Sequence, residues 1–282
     1  MKILITGAHG QLGQDIARLC KEQNHIAIAC GSQDLDITRF NEVMTFVLDK
    51  KPEVIINCAA YNAVDQAETD WTQAYEVNGI GPKNLALAAS ASGAILIHYS
   101  TDYVFDGEKT CPYTIADKPA PISRYGESKL LGEQMVMRHA QKYYLIRVSW
   151  VFGTGNTNFV KKVIEWSCQR DQITVVDDQT SSPTHTWDLA QASLDLLKTG
   201  QYGLYHMTNT GYCSRFEWAA YILNHIGWEG VLIPGKSSDF QTLATRPTFS
   251  PLDPFGTKQT IGYDLPTWQN ATDRFLQEIR RM

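Results

Sequence analysis

A doubly wound α/β fold, a Rossmann-like parallel sheet joined to a smaller C-terminal α/β substrate-binding domain, is what this sequence predicts. Three observations carry it. Short apolar strands alternate with helical segments through the first half of the chain. The turn Gly7-Ala8-His9-Gly10-Gln11-Leu12-Gly13 follows the first of those strands. The polar residues with chemistry to offer fall where strands end. Alternation of this kind needs right-handed crossovers and a sheet covered on both faces. Ligands of such sheets bind beyond the carboxyl ends of the strands, at the switch point.

Strands are expected at Lys2–Thr6, His25–Cys30, Val54–Cys58, Ala94–Ser100 and Tyr143–Val148, each short and rich in aliphatic or β-branched residues. Helices are expected between them at Gln11–Lys21, Arg39–Lys50, Ala74–Ala91 and Tyr125–His139. After Val148 the alternation loosens. Phe159–Arg170, Trp187–Lys198 and Arg215–Ile226 read as helices, and Ile173–Val176, Tyr202–Met207 and Val231–Ile233 as strands. Residues 234–267, rich in Pro, Gly, Ser and Thr, read as loop, and Trp268–Met282 as a closing helix.

The glycines of the first turn stand at i, i+3 and i+6. Gly7, Gly10 and Gly13 suit a sharp bend, a close backbone approach to a pyrophosphate and tight helix–strand packing. The helix they open, starting with Gln11 and Leu12, offers unsatisfied N–H groups to phosphate. This places a dinucleotide-binding domain at residues 1–150 with about 171–205, and a substrate domain at about 151–170 and 206–282. The second strand ends in Cys30-Gly31-Ser32-Gln33, with no carboxylate at its tip to hold an adenosine ribose and no arginine to hold a 2′-phosphate, so NADPH and NADH both stay open. Asp36 in Asp34-Leu35-Asp36-Ile37-Thr38 either bonds adenine or caps the next helix.

The third strand ends in Asn57-Cys58-Ala59-Ala60-Tyr61, small enough for a flat cofactor to lie close, although alanines also simply pack well. The fourth ends in His98-Tyr99-Ser100-Thr101-Asp102-Tyr103, where the Thr101 hydroxyl could polarise a carbonyl or merely bond local backbone. The fifth runs into Ser149-Trp150, and Trp150 reads either as a stacking surface for a sugar or base or as core. Tyr125-Gly126-Glu127-Ser128-Lys129 sets a tyrosine and a lysine on one helix face, and of the 13 tyrosines only Tyr125 has lysine at +4. A fixed ammonium near a phenol lowers the phenol's pKa and suggests a general acid/base.

The bulk composition narrows the field. A net charge of −5 argues against broad binding to nucleic acid or anionic membrane. No run approaches a membrane span. Six widely spaced cysteines, no metal-ligand spacing and no signal pattern predict a cytoplasmic protein with free thiols and no metal. A homodimer is one option for its assembly, which the sequence leaves open.

Taken together, several of these runs resemble the extended short-chain dehydrogenase/reductase family over nearly the whole chain. They are Gly7 to Gly13, Ala59-Ala60-Tyr61 through Val64-Asp65 and Ala67-Glu68, Ser100-Thr101-Asp102-Tyr103-Val104-Phe105, and Tyr125 to Lys129. Ser149-Trp150, Asp178-Gln179 with Pro183-Thr184, Arg246-Pro247 with Ser250 and Leu252, and Trp268 complete them. The glycine turn and the Tyr/Lys pair belong to the wide family, whereas the Ser-Thr-Asp-Tyr-Val-Phe run and the Arg-Pro segment are narrower.

The resemblance implies reduction, by NADPH or NADH, of the 4-keto group of a sugar nucleotide, dTDP-4-dehydro-L-rhamnose, to give dTDP-L-rhamnose, the last step of activated rhamnose synthesis. It implies that Tyr125 protonates the sugar oxygen, that Lys129 lowers its pKa and binds the nicotinamide ribose, and that Thr101 orients the keto group. Gly10, Gln11, Leu12, Asp36, Ile37, Ala59, Ala60, Tyr61 and Tyr99 match cofactor contacts. Thr101, Asp102 and Trp150 match sugar-nucleotide contacts. Asn62 departs from the threonine common at its position. Related dehydratases carry Thr-Asp-Glu at the fourth strand; Thr101-Asp102-Tyr103 lacks that glutamate, which favours reduction over elimination. Two alternatives stand beside this: a ketoreductase of another dTDP-4-keto-6-deoxysugar, and a non-catalytic NADP-binding regulatory subunit. Lys161, Lys162 and Arg246 are the charge-based candidates for the substrate diphosphate.

Overall fold

The computed structural model describes residues 1–155 and 157–281. In the first half, strands β1 (Lys2–Thr6), β2 (Ile26–Cys30), β3 (Val54–Asn57), β4 (Ile95–Thr101) and β5 (Tyr143–Val148) alternate with helices α1 (Gln11–Glu22), α2 (Phe40–Lys50), α3 (Trp71–Tyr75), α4 (Gly81–Ser92) and α5 (Arg124–His139). There follow β6 (Val151–Phe152), α6 (Phe159–Gln169), β7 (Gln172–Val176), β8 (Thr180–Ser181), β9 (Thr184–His185), α7 (Thr186–Thr199) and β10 (Gly203–His206). The chain closes with β11 (Cys213–Ser214), α8 (Arg215–Ile226), β12 (Val231–Gly235), α9 (Phe255–Ile261) and α10 (Trp268–Ile279). Met282, the end of the last expected helix, lies outside the described residues.

Six strands form one parallel sheet in the order β10-β5-β4-β3-β1-β2. The chain leaves β1 toward β2 on one side and returns to β3 on the other, so the switch point lies between the ends of β1 and β3. Strand alternation divides the core. Ile3 and Ile5 pack on one face with Ile16 and Leu19 of α1 and Leu189 of α7. Leu4 packs on the other with Val43 and Val47 of α2 and Leu85 of α4. Each such side chain, fully buried, contributes roughly 1.5–3 kcal/mol. Beneath the site, Arg147 of β5 meets Glu133 of α5 in a buried two-point pair at 2.8 and 2.7 Å. Removing either partner would strand a buried charge, at about 3–5 kcal/mol.

A second core gathers Phe152, Val160, Val163, Trp218 and Phe275. α7 and β10 pack with the large sheet. β7 does not, although the sequence puts its residues with the nucleotide-binding unit. It pairs in parallel with β12, and its Ile173 and Val175 enter the second core. Besides the two-residue strands β6, β8, β9 and β11, which the sequence does not announce, two elements differ from expectation. The single helix read over Ala74–Ala91 is α3 and α4 joined by a π-helical turn, Glu76–Ile80, ahead of Pro82. The stretch read as loop contains α9, ended by Gly262 at φ 87° and tied down by Thr257 Oγ1, which donates to the His206 carbonyl at 2.6 Å.

Candidate active site

A cleft of about 330 Å³ opens at the carboxyl ends of β1, β3, β4 and β5. Gly10, Gln11, Leu12 and Gly13 form one wall, Ala59 and Ala60 the next. Thr101, Asp102, Tyr125, Lys129 and Trp150 close the far end. Gly7 supports the first wall from behind. It has φ 65°, and a Cβ there would lie 2.5 Å from the Ala59 nitrogen. A Cβ on Gly13 would lie 2.5 Å from the Gly7 carbonyl oxygen. α1 begins at Gly10 with no side-chain cap and no acid in its first turn, so its leading N–H groups and dipole are left for an anion. These features fit the pyrophosphate of a dinucleotide.

The remaining cofactor candidates act in different ways. Asn57 accepts from Thr6 Oγ1 at 2.7 Å and from the Ala59 N–H at 3.1 Å, and donates to His98 Nδ1 at 3.0 Å; it fixes the turn carrying Ala59 and Ala60. Tyr61, Asp36 and Ile37 do not line the cleft. Asp36 accepts from the Thr38 N–H at 3.0 Å and the Thr38 hydroxyl at 2.7 Å, so it closes a local turn, while the residue before α2 is Arg39. Ile37 is buried against Gly81. Tyr99 turns its phenol into the core toward Ser193, at 2.8 Å, and presents its carbonyl to the site. At the tip of β2 the chain folds back, and Asp34 accepts from the Gly31 N–H at 2.8 Å. A carboxylate therefore does stand at that tip, supplied by the turn rather than the strand.

Tyr125 and Lys129 sit on the first turns of α5, whose start is capped by Ser123 Oγ accepting from the Gly126 N–H at 3.2 Å. Both side chains are buried. The Tyr125 phenol shares the cleft lining with Thr101 and lies edge-on to Tyr103, with ring centres 5.7 Å apart. Lys129 Nζ donates to the Tyr99 carbonyl at 2.6 Å. Burial lowers the Lys129 ammonium to about 8, with Glu133 pulling the other way. The expected lowering of the phenol is absent. Burial raises Tyr125 above its ordinary value, Thr101 opposes this, and Asp102 and Tyr103 add to it. Lys129 spends its charge on the Tyr99 carbonyl, and the phenol keeps its proton.

Asp102 is buried, and three hydroxyls converge on its carboxylate. It receives the hydroxyls of Thr101 at 3.1 Å, Ser181 at 3.0 Å and Ser250 at 2.6 Å. Burial pushes its pKa up, and the Ser250, Ser181 and Thr101 hydroxyls hold it down. It thus joins the end of β4 to two segments of the second half. Trp150 has φ 42°, a left-handed conformation uncommon outside glycine. Its ring stacks on Trp218 at 5.9 Å and lies under the Arg215 guanidinium at 3.6 Å, so the wall and core readings of this residue both apply. Arg246 is held by Asp65 through two contacts, at 3.1 and 2.6 Å. That pairing joins the Val64-Asp65 and Arg246-Pro247 segments in the fold.

Sequence reasoning missed three residues here. Asn78, on the π-helical turn, accepts from the Tyr61 N–H at 2.9 Å and donates to the Tyr61 carbonyl and to Ser128 Oγ, both at 3.0 Å. It locks α5 to the turn after β3. A π-helical turn often marks such a site, but it leaves no local sequence pattern. Ser181 and Arg215 are isolated residues whose partners lie far away in the chain. Among the described residues no group of three His, Cys, Asp or Glu side chains could hold a metal ion.

The profile of the family described as RmlD substrate binding domain matches residues 1–281. A dTDP-4-dehydrorhamnose reductase from Aggregatibacter actinomycetemcomitans is 37% identical, with 96% of each chain covered. The chain belongs to the dTDP-4-dehydrorhamnose reductase family. The spore coat polysaccharide biosynthesis protein SpsK of Bacillus subtilis is 35% identical, covering 98% of this chain and 97% of its own. Among solved structures, a dTDP-4-dehydrorhamnose reductase from Clostridium acetobutylicum is 42% identical with a TM-score of 0.97, covering 99% of this chain and 100% of that one. A member of the family from Bacillus anthracis, solved in complex with NADP, is 38% identical with a TM-score of 0.95, covering 98% and 99%. The turn, the Tyr/Lys pair and the Thr101 hydroxyl of this reductase-family chain thus stand in a fold shared along its whole length.

Proposed function

We propose that the chain is an NAD(P)H-dependent oxidoreductase that reduces the 4-keto group of dTDP-4-dehydro-L-rhamnose to give dTDP-L-rhamnose. The observation that carries this reading is that buried Thr101, Tyr125 and Lys129 line one cleft with the Gly10–Gly13 turn. Bound NADPH or NADH supplies the hydride. The Gly10–Gly13 N–H groups hold its pyrophosphate, and Ala59 and Ala60 let its flat parts lie close. Lys129, which lines the same cleft, would hold the nicotinamide ribose. Thr101 orients the ketone oxygen by turning its hydroxyl proton from its acceptor Asp102 toward the substrate. The phenol of Tyr125, kept protonated by burial, delivers its proton to that oxygen as charge develops there. Tyr103, in place of a glutamate, leaves elimination without a base.

In this reading residues 1–150 with α7 and β10 form the cofactor-binding unit, and β7 joins the sugar-nucleotide unit with 151–170 and 206–281. We place the protein in the cytoplasm, in keeping with six free cysteines and no helix long and apolar enough to cross a membrane among the described residues. A homodimer is the assembly that would cover the exposed Trp71 and Ile80. Its partner in the reaction is a small sugar nucleotide.

Tyr125→Phe separates an enzyme from a regulatory binding module. With the variant, oxidation of NADPH by the sugar nucleotide should fall by about 10²-fold or more while NADPH affinity holds. Turnover unchanged in the variant would overturn the assigned role.

A further inference from the structure

The basic residues that the sequence offers for a substrate diphosphate are not equivalent in the fold. Arg246 is neutralised by Asp65 through two contacts, at 3.1 and 2.6 Å. Lys161 Nζ donates to the Gly155 carbonyl at 2.8 Å, and Lys162 is exposed on α6. Arg215 differs from all three. Its guanidinium lies 3.6 Å from the centre of the Trp150 ring, 4.7 Å from that of Phe159 and 5.7 Å from that of Trp218. Among the described residues it meets no carboxylate at ion-pair distance and no hydrogen-bond acceptor. The charged and titratable groups that act on it are Tyr103, Asp102, Cys213 and Arg246, and burial is what chiefly lowers it, to about 10. Asp102 acts on it only from beyond ion-pair distance, while its carboxylate receives three hydroxyls.

A guanidinium carries five N–H donors in one plane. Aromatic rings fix that plane but accept none of those donors at its edge, which stays open to a ligand. The ring closest to it, Trp150, lines the cleft at the end where Thr101 and Tyr125 meet. A planar cation, oriented in advance and unpaired, therefore stands beside the place where the reacting sugar must lie. The group one bond from that sugar in a sugar nucleotide is a diphosphate, whose oxygens match the guanidinium fork.

We infer that Arg215 is a diphosphate-binding residue of the substrate site, donating from its open edge to the phosphate oxygens of a nucleoside diphosphate while Trp150 holds its face. The inference deepens the sugar-nucleotide reading above and rests on it.

The test uses the whole protein saturated with NADP⁺, so that the cofactor site is closed to the probe, and titrates it with dTDP, UDP and GDP. Arg215→Gln should weaken dTDP binding by roughly tenfold or more, and Arg215→Lys should recover part of the loss. NADPH affinity and the thermal midpoint of Arg215→Gln should match the parent protein. In turnover its KM for the sugar nucleotide should rise by a similar factor while kcat stays within roughly threefold. Equal dTDP affinity in Arg215→Gln would overturn the inference. So would an equal fall in NADPH affinity without recovery by lysine, because that describes a structural role. Binding of none of the three nucleotides by the parent protein would overturn it as well. Arg215-dependent binding of a nucleoside diphosphate, without reduction of a dTDP sugar, would remove the substrate reading and leave Arg215 in place.

Discussion

At the scale of single residues, the site separates two jobs that the i, i+4 spacing of Tyr125 and Lys129 seemed to combine. Burial keeps the phenol protonated, which suits a proton donor, and holds the ammonium near the point of losing its charge. The folded pKa of Lys129, about 8, lies below its ordinary 10.5. Its charged form is therefore penalised by folding at pH values below about 8, and that penalty is relieved as pH rises from about 8 toward 10.5. For activity the sign is opposite, because the useful cation disappears over the same interval. The pH profile of kcat/KM, which reports the free enzyme, should fall as pH rises through about 8, and Lys129→Met should give a lower profile without that limb. A decline that starts only near 10.5 would contradict this assignment. Tyr125 and Lys129 were legible because one helix turn brings them together. Arg215 was not, because its meaning comes from rings at positions 150, 159 and 218 that only folding assembles.

At the scale of elements, the β1–α1 turn is the part the sequence states most directly. Each glycine has a local reason, and the reason sits within a few residues: Gly7 needs its positive φ, and Gly13 faces the Gly7 carbonyl. Gly13→Ala would place a Cβ 2.5 Å from that oxygen and 2.7 Å from the Ala8 Cα, and neither backbone atom can yield without moving α1. NADPH affinity should fall by roughly tenfold or more in this variant, read by fluorescence titration, while the strand core keeps its cooperative unfolding. An affinity within a factor of two would show that the turn has slack. The strands of the sheet were legible for the same local reason, since alternate residues of β1 feed opposite cores. The π-helical turn at Asn78 and the seven-residue α9 were not. Gly79, Gly81 and Pro82 disturb a helix that remains apolar on one side, and α9 is too short and too rich in Gly and Thr to stand out from its loop.

At the scale of the molecule, the cleft exists because the two halves of the chain are fastened around it. Gln11 accepts from the Gly153 N–H and from Asn158 Nδ2 at 2.8 and 2.9 Å, across 142 and 147 residues. Asp102 takes the Ser250 hydroxyl across 148 residues, and Asp65 takes Arg246 across 181. Contacts this distant impose no period and no spacing, so the sequence marked Asp65, Asp102, Arg246 and Ser250 without disclosing that they pair. Together they explain why a substrate bound between the halves meets Thr101 and Tyr125 from one and Trp150 and Arg215 from the border of the other. Ketone reduction at that place is what every one of these contacts serves. The most direct test incubates the purified protein with dTDP-4-dehydro-L-rhamnose and NADPH or NADH, following cofactor oxidation and the sugar product together. It predicts one cofactor oxidised per dTDP-L-rhamnose formed, with at least one of the two cofactors. No oxidation with either cofactor, or oxidation without a reduced C4, would contradict it.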